Sequence, residues 1–571
     1  MPVFPLRSLR AGAVLTGAGL FFILCAWLTA GAEPVGQQQA FVLSLMLCTL
    51  GVLVFALARP ATALVVSGGL FAALKFMSVL KLRYLDSTLM PSDFIYFAGT
   101  SLVDTLQHYP HLYALGVGLC VGVPLLLWLV WRADLRWLRA RRGWSALALR
   151  GVGAALFALA FWLCLLPQGV FAQIHARNAW EKMSDDAQMT NFFVNIHDAD
   201  VQLPAMADGD VAQQQWGATA LAEPGFTPKP YPDIVQVLEE STFDPSGFAV
   251  CTVPQCRARM FQADGSTRGH GVLRVHTFGG GTWVSEFAAL TGMPHDIFGP
   301  GGMYAPYVLA PHVHDALAQQ LRRLGYITIA VYPTAGSFIN GRNAYNAYGF
   351  DHLYDAGELH LDEWEETDAQ MFAAAKRAYD MVKKPGQPVF VMILTLNQHG
   401  PHDEDPRTKL PAPYNRGVLR GLSKSAALNF DTYLARLQAS DKAMRALEHT
   451  FLDRSQPTVL LHFGDHQPSF GGLIRDLPRK LAPALRPYRD YLTYYMVKSN
   501  FAGPPLPTYP MLDIAFLPTL VLQAADLPAD PYFSAATALR NRCNGLYVDC
   551  AVPGMLESYH AWVIGHLHVY E

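Results

Sequence analysis

The pair Asp465-His466 is the feature of this sequence with the clearest chemical meaning. It follows the apolar run 458–463, so a strand there would present both side chains at its carboxyl end. Open α/β sheets bind their ligands at that edge. A carboxylate beside an imidazole suits a divalent metal such as Mn²⁺ or Zn²⁺. The pair alone is weak evidence, because most Asp-His pairs are ordinary surface residues.

Two upstream segments also place polar groups where strands are expected to end. One apolar run stops at Glu239 and Glu240, which are either a metal-binding carboxylate and its neighbour or a solvated strand end. Another run leads through three glycines to Thr282. A helix opening there would favour a phosphate at its N-terminus. Thr282 is then either a helix N-cap or a metal-bound hydroxyl nucleophile, with Ser285 as the next candidate.

Two histidines and an arginine are candidate phosphate contacts. His399 and His402 follow the apolar run 389–396, and an imidazole there could hydrogen-bond a phosphoryl oxygen or protonate a leaving group. Arg342 could hold a phosphate with two parallel hydrogen bonds. The alternative is a loop with exposed histidines and an ordinary surface arginine.

The elements that would position these residues lie in the last two thirds of the chain. Apolar, β-rich runs alternate there with helical patterns, which predicts a largely parallel sheet covered by helices on both faces. The predicted strands are 234–238, 273–278, 326–332, 389–396, 458–463 and 491–497, and the predicted helices are 312–324, 362–384, 423–452 and 512–525.

The first third of the chain has the composition of a membrane domain. Of the 571 residues, 51% are hydrophobic and only 16% are charged, whereas soluble proteins carry about 25% charged residues. Five apolar segments each approach the ~20 residues that cross a bilayer. They are 11–30, 40–58, 61–80, 112–131 and 146–166. A water-soluble helical bundle is the alternative. Lys75 is the main charged residue in these spans.

Arginine positions predict the orientation. They cluster before the first span, between the second and third, and between the fourth and fifth, which places the N-terminus inside. The arginines are Arg7, Arg10, Arg59, Arg132, Arg136, Arg139, Arg141 and Arg142. We therefore expect a transmembrane domain (1–166), a connector with short helices (167–232) and an extracytoplasmic domain (233–571). The net charge of -3 argues against nucleic-acid binding.

The cysteines agree with an extracytoplasmic domain. Two close pairs, Cys251/Cys256 and Cys543/Cys550, predict local disulfides in an oxidising compartment. A cytosolic zinc site is the alternative, which the predicted topology disfavours. The other four cysteines lie in predicted spans, where they act as small apolar residues.

Five segments carry a resemblance to a known family. They are Leu238–Ser241, Gly280–Phe287, Asn397–Pro401, Phe463–His466 and Asp513–Thr519. On these motifs the chain resembles the lipoteichoic acid synthase and phosphoglycerol transferase family, within the alkaline phosphatase/sulfatase superfamily. The resemblance covers nearly the whole chain. It implies a five-helix transmembrane domain and an extracytoplasmic α/β domain of alkaline phosphatase/sulfatase type.

The resemblance also implies a role for each site residue. Glu240, rather than Glu239, would bind one divalent metal together with Thr282, Asp465 and His466. Mn²⁺ is the preferred ion, and Zn²⁺ or Mg²⁺ are alternatives. Thr282 would be the nucleophile. His399 and Arg342 would contact the substrate, although the spacing around Arg342 departs from the family pattern. His402 is added from its position in the loop.

The implied function is transfer of a phosphoglycerol head group from phosphatidylglycerol. The enzyme would lie in the bacterial cytoplasmic (inner) membrane, with its catalytic domain on the periplasmic or extracellular side. The acceptor would be an envelope glycan or a polyglycerol phosphate chain. The run 285–287 favours the phosphoglycerol branch. A phosphoethanolamine transferase acting on lipid A or a glycan, and a phosphodiesterase of the same fold, are the alternatives. The sequence lacks the Cys/Ser-x-Pro-x-Arg motif of sulfatases.

Overall fold

The computed structural model describes residues 6–85, 88–95, 110–135, 144–176, 186–196, 201–220, 230–470 and 472–571. The chain divides into two compact units within the predicted connector. The first unit is Met1–Arg83 with Ser87–Asp200, and the second is Tyr84–Asp86 with Val201–Glu571. Four arginines of the orientation argument, at positions 136, 139, 141 and 142, lie outside the described residues.

Five long apolar helices form the framework of the first unit. They are α1 (Leu6–Thr29), α2 (Gly36–Leu57), α3 (Pro60–Leu85), α4 (Pro110–Ala133) and α5 (Trp144–Leu165). Among the described residues, these five are long and apolar enough to cross a membrane. The prediction of five spans is confirmed. Most helices begin earlier than predicted, because residues flanking the apolar runs continue the hydrogen-bonded turns.

Two short helices follow the fifth span within the first unit. They are α6 (Ala172–His175) and α7 (Gln188–Val194). Every residue of α7 is buried, and its phenylalanines belong to the same apolar core as Phe41 and Phe71 of the long helices. The connector therefore begins as part of the helical unit.

One eight-stranded sheet organises the described part of the second unit. Its order is β4-β3-β5-β1-β6-β7-β2-β8, and β7 runs antiparallel to both of its neighbours. The strands are β1 (Asp233–Glu239), β2 (Thr267–Arg274), β3 (Ile327–Val331), β4 (His352–Tyr354), β5 (Val389–Leu394), β6 (Thr458–Gly464), β7 (Leu492–Ser499) and β8 (Leu512–Asp513). The prediction of a mostly parallel sheet is confirmed.

The second predicted strand is displaced along the sequence. We expected 273–278, whereas β2 ends at Arg274 and begins at Thr267. The segment that forms β2 contains two glycines and several polar residues, so its pairing with β7 overrides a weak local preference. Residues 275–278 instead lead the chain out of the sheet toward Thr282.

Helices pack on both faces of the sheet and enclose two apolar cores. Along β1, Ile234 and Leu238 face one core while Val235 and Val237 face the other, as the two-residue period of a strand requires. The helices are α8 (Gly209–Ala220), α9 (Thr282–Thr291), α10 (Ala305–Val308), α11 (Leu317–Arg323), α12 (Gly341–Ala347), α13 (Ala356–Leu359), α14 (Asp368–Val382), α15 (Lys424–Leu452), α16 (Leu517–Ala524), α17 (Pro531–Arg542) and α18 (Met555–His560).

Both predicted disulfides are formed. Cys251 is bonded to Cys256, and Cys543 is bonded to Cys550. Each closes a loop of only a few residues, so the bonds fix local structure of the second unit rather than joining distant segments.

The first residue of β1 anchors an ion network at the amino edge of the sheet. Asp233 is fully buried and accepts hydrogen bonds from Lys383 Nζ at 2.7 Å and Arg454 at 3.0 Å. The Tyr379 hydroxyl and the Val389 backbone N–H donate to the same carboxylate, at 2.7 and 2.9 Å. Two cations and two neutral donors therefore satisfy this buried charge completely.

Candidate active site

The carboxyl ends of β1 and β6 bring three predicted metal ligands together. The two strands are parallel neighbours, with Glu239 beside Gly464, so the residues that follow them meet at one edge. Ligand atoms of Glu240, Asp465 and His466 all lie within 4.8 Å of one another, and all three side chains are buried. His466 Nε2 is 3.4 Å from Glu240 Oε1 and 3.3 Å from Asp465 Oδ2.

Thr282 completes this cluster from the start of α9. Gly281 precedes it with a φ of 82°, a left-handed conformation that glycine adopts without strain. The Thr282 hydroxyl donates to Glu240 Oε2 at 2.5 Å and lies 3.4 Å from His466 Nε2. The side chain is only partly buried. Of the four clustered side chains, it is therefore the one that a substrate can reach.

Backbone groups hold Asp465 in place. The N–H groups of Ser241 and His466 each donate to Asp465 Oδ1 at 2.7 Å. Just before it, Gly464 passes so close to the chain after β1 that an added Cβ would lie 1.8 Å from the Thr242 carbonyl oxygen. The backbone that carries Asp465 is thus closely packed against the chain after β1, which fixes the position of the carboxylate.

Ser285, the second candidate nucleophile, is engaged elsewhere. Its hydroxyl is buried and donates to the backbone oxygen of Asp465 at 2.7 Å. It supports the strand end that carries Asp465, whereas Thr282 faces the cluster.

Among the described residues, no lysine or arginine forms an ion pair with Glu240 or Asp465. Burial raises the pKa of Asp465 well above its usual range, and the neighbouring Glu240 carboxylate raises it further. Burial also lowers the pKa of His466, which favours the neutral imidazole. For Glu240, burial acts to raise the pKa, but His466, His399 and the Thr282 hydroxyl together lower it.

These residues fit a divalent metal. Asp465 Oδ2 accepts no hydrogen bond in the described structure, although it is fully buried. His466 Nδ1 lies 3.1 Å from the Gln467 carbonyl oxygen, which leaves Nε2 directed at the cluster. Two carboxylates, a neutral imidazole and a hydroxyl are the donor types that Mn²⁺ and Zn²⁺ accept.

Glu239 points to the other face of the strand. The Thr395 hydroxyl donates to its carboxylate at 3.2 Å. Burial raises the pKa of Glu239 well above its usual range, and the nearby Asp368 carboxylate adds to the effect. The alternation of side chains along β1 thus separates the buried Glu239 from Glu240.

His399 lies beside the cluster on a loop that two other residues fix. A proton on this imidazole would lower the pKa of both Glu240 and His466, and its Nδ1 is 2.6 Å from the Gly400 carbonyl oxygen. Arg436, in the middle of α15, donates to the His399 carbonyl oxygen at 2.7 Å. The Trp364 ring packs edge-on against the imidazole, with centroids 5.5 Å apart.

Trp364 and Arg436 were not predicted from the sequence. Trp364 interrupts a run of acidic residues at 362–366, and a lone aromatic residue there is the one signal that could have drawn attention to it. No local sequence pattern marks Arg436 as a functional residue, because its contact with His399 joins distant parts of the chain.

The structure does not bring Arg342 or His402 to the four-residue cluster. Arg342 is occupied by Asp355 at 2.6 Å and Glu358 at 3.0 Å. His402 is buried against the rings of Tyr433 and Phe470, and burial lowers its pKa well below the usual range. Their roles as substrate contacts stay predictions.

A second histidine near this edge sits between two carboxylates. His276 Nδ1 is 2.9 Å from Asp296, and its Nε2 is 3.0 Å from Asp513. Burial acts to lower the pKa of His276, but the two carboxylates outweigh it and raise the pKa to about 9. The imidazole is therefore charged at neutral pH and holds the chain that leads to Thr282.

Comparison with known proteins agrees with this architecture. Residues 232–520, about half of the chain, match the Sulfatase family. An uncharacterized protein of Haemophilus influenzae is 28% identical over 519 residues, which cover 88% of this chain and 90% of that protein. A putative cyclic beta-1,2-glucan modification protein of Rhizobium meliloti is 25% identical, covering 83% of this chain and 74% of its own length.

One solved structure matches nearly the whole length. The integral membrane lipooligosaccharide phosphoethanolamine transferase A of Neisseria meningitidis aligns with a TM-score of 0.50 at 13% identity. The alignment covers 89% of this chain and 95% of that protein. The likeness shows the fold, an apolar helical unit followed by a mostly parallel α/β domain.

Proposed function

This chain belongs to the Sulfatase family, and from that premise we propose that it is a membrane-anchored transferase of phosphoglycerol. It would move the head group of phosphatidylglycerol through Thr282 onto an acceptor of the cell envelope. The supporting observation is the convergence of Thr282 with Glu240, Asp465 and His466. The Thr282 hydroxyl is 2.5 Å from a buried carboxylate and remains open to a substrate.

Transfer would proceed by two displacements at phosphorus. In the first, the Thr282 oxygen bonds to phosphorus and the bond to the diacylglycerol oxygen breaks, which leaves the head group on Thr282. The proton of the threonine hydroxyl balances the one that diacylglycerol gains. In the second, an acceptor hydroxyl displaces Thr282, and its proton restores the threonine hydroxyl. No net proton or electron is consumed.

The residues around Thr282 would orient its hydroxyl, bind a metal and contact the phosphoryl group. Glu240 orients the hydroxyl through its hydrogen bond. A divalent cation held by Glu240, Asp465, His466 and Thr282, with Mn²⁺ first and Zn²⁺ or Mg²⁺ as alternatives, would supply positive charge to the phosphoryl oxygens. His399, which acts electrostatically on Glu240, would contact a phosphoryl oxygen or protonate the leaving group. Arg436 and Trp364 hold its loop and ring.

A glycan is our preferred acceptor, and polyglycerol phosphate is the alternative. The support comes from the Rhizobium meliloti relative, whose name describes modification of a cyclic glucan. The catalytic domain would face the periplasm of an inner membrane, which agrees with its two disulfides.

Diacylglycerol release by the purified full-length protein tests the proposal. With Mn²⁺ present, phosphatidylglycerol and phosphatidylethanolamine are offered separately. We expect release from phosphatidylglycerol, and a loss of at least about 1,000-fold in Thr282→Ala, because the covalent step then has no nucleophile. Thr282→Ser is the matched control and should retain measurable release.

Each arm has a distinct meaning. Release from phosphatidylethanolamine alone would reassign the protein as a phosphoethanolamine transferase. Full activity in Thr282→Ala would refute the nucleophile. Addition of a periplasmic glucan then separates transfer from hydrolysis, since only a transferase yields phosphoglycerol-bearing glycan.

A further inference from the structure

Two aromatic side chains form a partly exposed surface beside His399. The Trp364 ring lies edge-on to the imidazole with centroids 5.5 Å apart, and Phe338 packs perpendicular to Trp364 with centroids 4.8 Å apart. All three side chains are partly exposed. Two segments that are distant in the sequence therefore bring Phe338 and Trp364, the aromatic pair, to the candidate active site.

The backbone holds this pair in an unfavourable conformation. Trp364 has a φ of 70°, and Ile339 and Asn340, directly after Phe338, have φ values of 45° and 57°. Bulky and β-branched residues rarely adopt this left-handed region. Asn340 is fixed there by its side chain, which donates to the Pro306 carbonyl oxygen at 2.8 Å. Backbone strain of this kind concentrates at functional sites and ligand clamps.

The proposed mechanism brings the acceptor to the side of His399. Both displacements at phosphorus are in line with the Thr282 oxygen, so the diacylglycerol oxygen leaves from the position that the acceptor oxygen later takes. The group that protonates the leaving oxygen in the first step receives the acceptor proton in the second. His399 is our candidate for that group, and Trp364 contacts it. The aromatic pair is therefore expected to face the acceptor.

The charge around Trp364 indicates which acceptor fits. Trp364 lies in the turn 362–366, in which the other four residues are acidic, and Asp362, Glu363 and Glu365 are exposed. A polyglycerol phosphate chain carries a negative charge on each unit, so these carboxylates repel it. A neutral glycan is not repelled, and its hydroxyls can donate hydrogen bonds to the same carboxylates. The apolar C–H face of a sugar ring also packs well on an aromatic ring.

We propose that Phe338 and Trp364 bind a sugar ring of a neutral glycan acceptor, with Glu363 and Glu365 accepting hydrogen bonds from its hydroxyls. The proposal rests on the proposed function and names the acceptor class of the same site. The bound sugar places one hydroxyl beside His399, and the two displacements at phosphorus are unchanged.

Glycan binding to the full-length Thr282→Ala protein tests this surface without turnover. A neutral β-linked glucose oligosaccharide and a glycerol phosphate oligomer are titrated separately in detergent, and ligand-observed NMR follows binding. We expect Trp364→Ala to weaken glucose-oligosaccharide binding about 10-fold, the size of one lost aromatic contact. Trp364→Phe should retain most of the binding. Tyr509→Leu is the matched control and should bind normally, since it removes a partly exposed ring that contacts Asn541 of α17.

Competition between glycan and water separates acceptor binding from the positioning of His399. Both react with the same phosphothreonine, so the ratio of phosphoglycerol-bearing glycan to free glycerol phosphate depends only on the second step. We expect this ratio to fall about 10-fold in Trp364→Ala, whatever happens to the total rate. Phe338→Leu should lower it several-fold and carries the test if Trp364→Ala does not fold. A lower rate with an unchanged ratio would assign the ring to positioning His399 alone and overturn the proposal.

The remaining outcomes separate this surface from the proposed function. A glycerol phosphate oligomer that binds as tightly as the glucose oligosaccharide, and loses as much affinity in Trp364→Ala, would overturn the assignment to a neutral glycan. If no lipid is cleaved while glycan binding still depends on Trp364, the proposed function fails and the surface stands. Diacylglycerol release together with equal glycan binding in Trp364→Ala, Phe338→Leu and the unmodified protein would refute the surface and leave the function standing.

Discussion

The two ends of β1 both carry buried carboxylates, but only one end balances them. At the amino edge, Asp233 meets two cations, a tyrosine hydroxyl and a backbone N–H. At the carboxyl edge, Glu240 and Asp465 face each other beside a histidine that burial keeps neutral. The strand thus begins at a carboxylate that two cations neutralise and ends at carboxylates that are paired with no lysine or arginine in the described structure.

The difference separates structural charge from functional charge. A buried carboxylate with all its partners in the protein stabilises one arrangement of the chain, and removing a partner is costly. A buried carboxylate without a cation raises the free energy of the fold unless a ligand supplies the charge. A buried charge that the protein leaves uncompensated therefore indicates a candidate functional site.

Replacing one carboxylate should lower the stability at the amino end of β1 but not at its carboxyl end. We expect Asp233→Asn to lower the free energy of unfolding by about 3–5 kcal/mol, because Lys383 and Arg454 are then left without their shared anion. Asp465→Asn in metal-free buffer should leave the stability unchanged or raise it, because it removes repulsion with Glu240. Thermal unfolding of the full chain in detergent with a chelator measures both. A stability loss of equal size in both variants would contradict the comparison.

His276 offers a pH test of a closed cluster near the open edge. Its folded pKa of about 9 lies above the ordinary value of 6.5, so its contribution is complete below pH 6.5 and is lost as the pH rises through 9. We expect a loss of about 3 kcal/mol across that window. Melting temperatures between pH 6 and 10 measure it. His276→Gln should lack this step, and the same step in that variant would assign it to another group.

Metal should stabilise only the protein with an intact carboxyl edge. At a Mn²⁺ concentration 100 times the dissociation constant, we expect a gain of about 2.7 kcal/mol in the free energy of unfolding. Asp233→Asn should show the same gain from its lower starting point, whereas Asp465→Asn should show none. Titration followed by thermal shift gives the comparison. An equal gain in Asp465→Asn would place the metal elsewhere.

Replacing Ser285 should have the smallest effect on stability and activity. It tests whether this residue has a structural role or a catalytic one. Ser285→Ala loses one buried hydrogen bond to the Asp465 backbone, which should cost about 1 kcal/mol of stability. Diacylglycerol release should stay within a few-fold of the unmodified protein. If release fell as far as in Thr282→Ala, Ser285 would be part of the chemistry.

Much of the fold could be predicted because its signals are local. Five long apolar segments mark the helices of the first unit, and short β-rich runs mark most strands of the sheet. The resemblance is confirmed at the level of the Sulfatase family. The displaced β2 and the antiparallel β7 were beyond prediction, because pairing between distant segments decides them.

The site was predictable where residues follow strands and less so where distant segments meet. Asp465, His466 and Thr282 follow apolar runs, so their convergence could be foreseen. Choosing Glu240 over Glu239 needed the family resemblance, since the sequence alone does not tell which face of β1 each one takes. The ion pairs that occupy Arg342 arise from tertiary packing, which no local pattern records.

Gly464 limits how evolution or design can alter this protein. Any side chain at this position would collide with the Thr242 carbonyl oxygen and push β6 away from the chain after β1. A mutant library that varies the proposed metal ligands can explore other ions and other chemistries. Every functional survivor should nevertheless keep glycine at 464, so this position is a marker for recognising distant homologues whose ligands have changed.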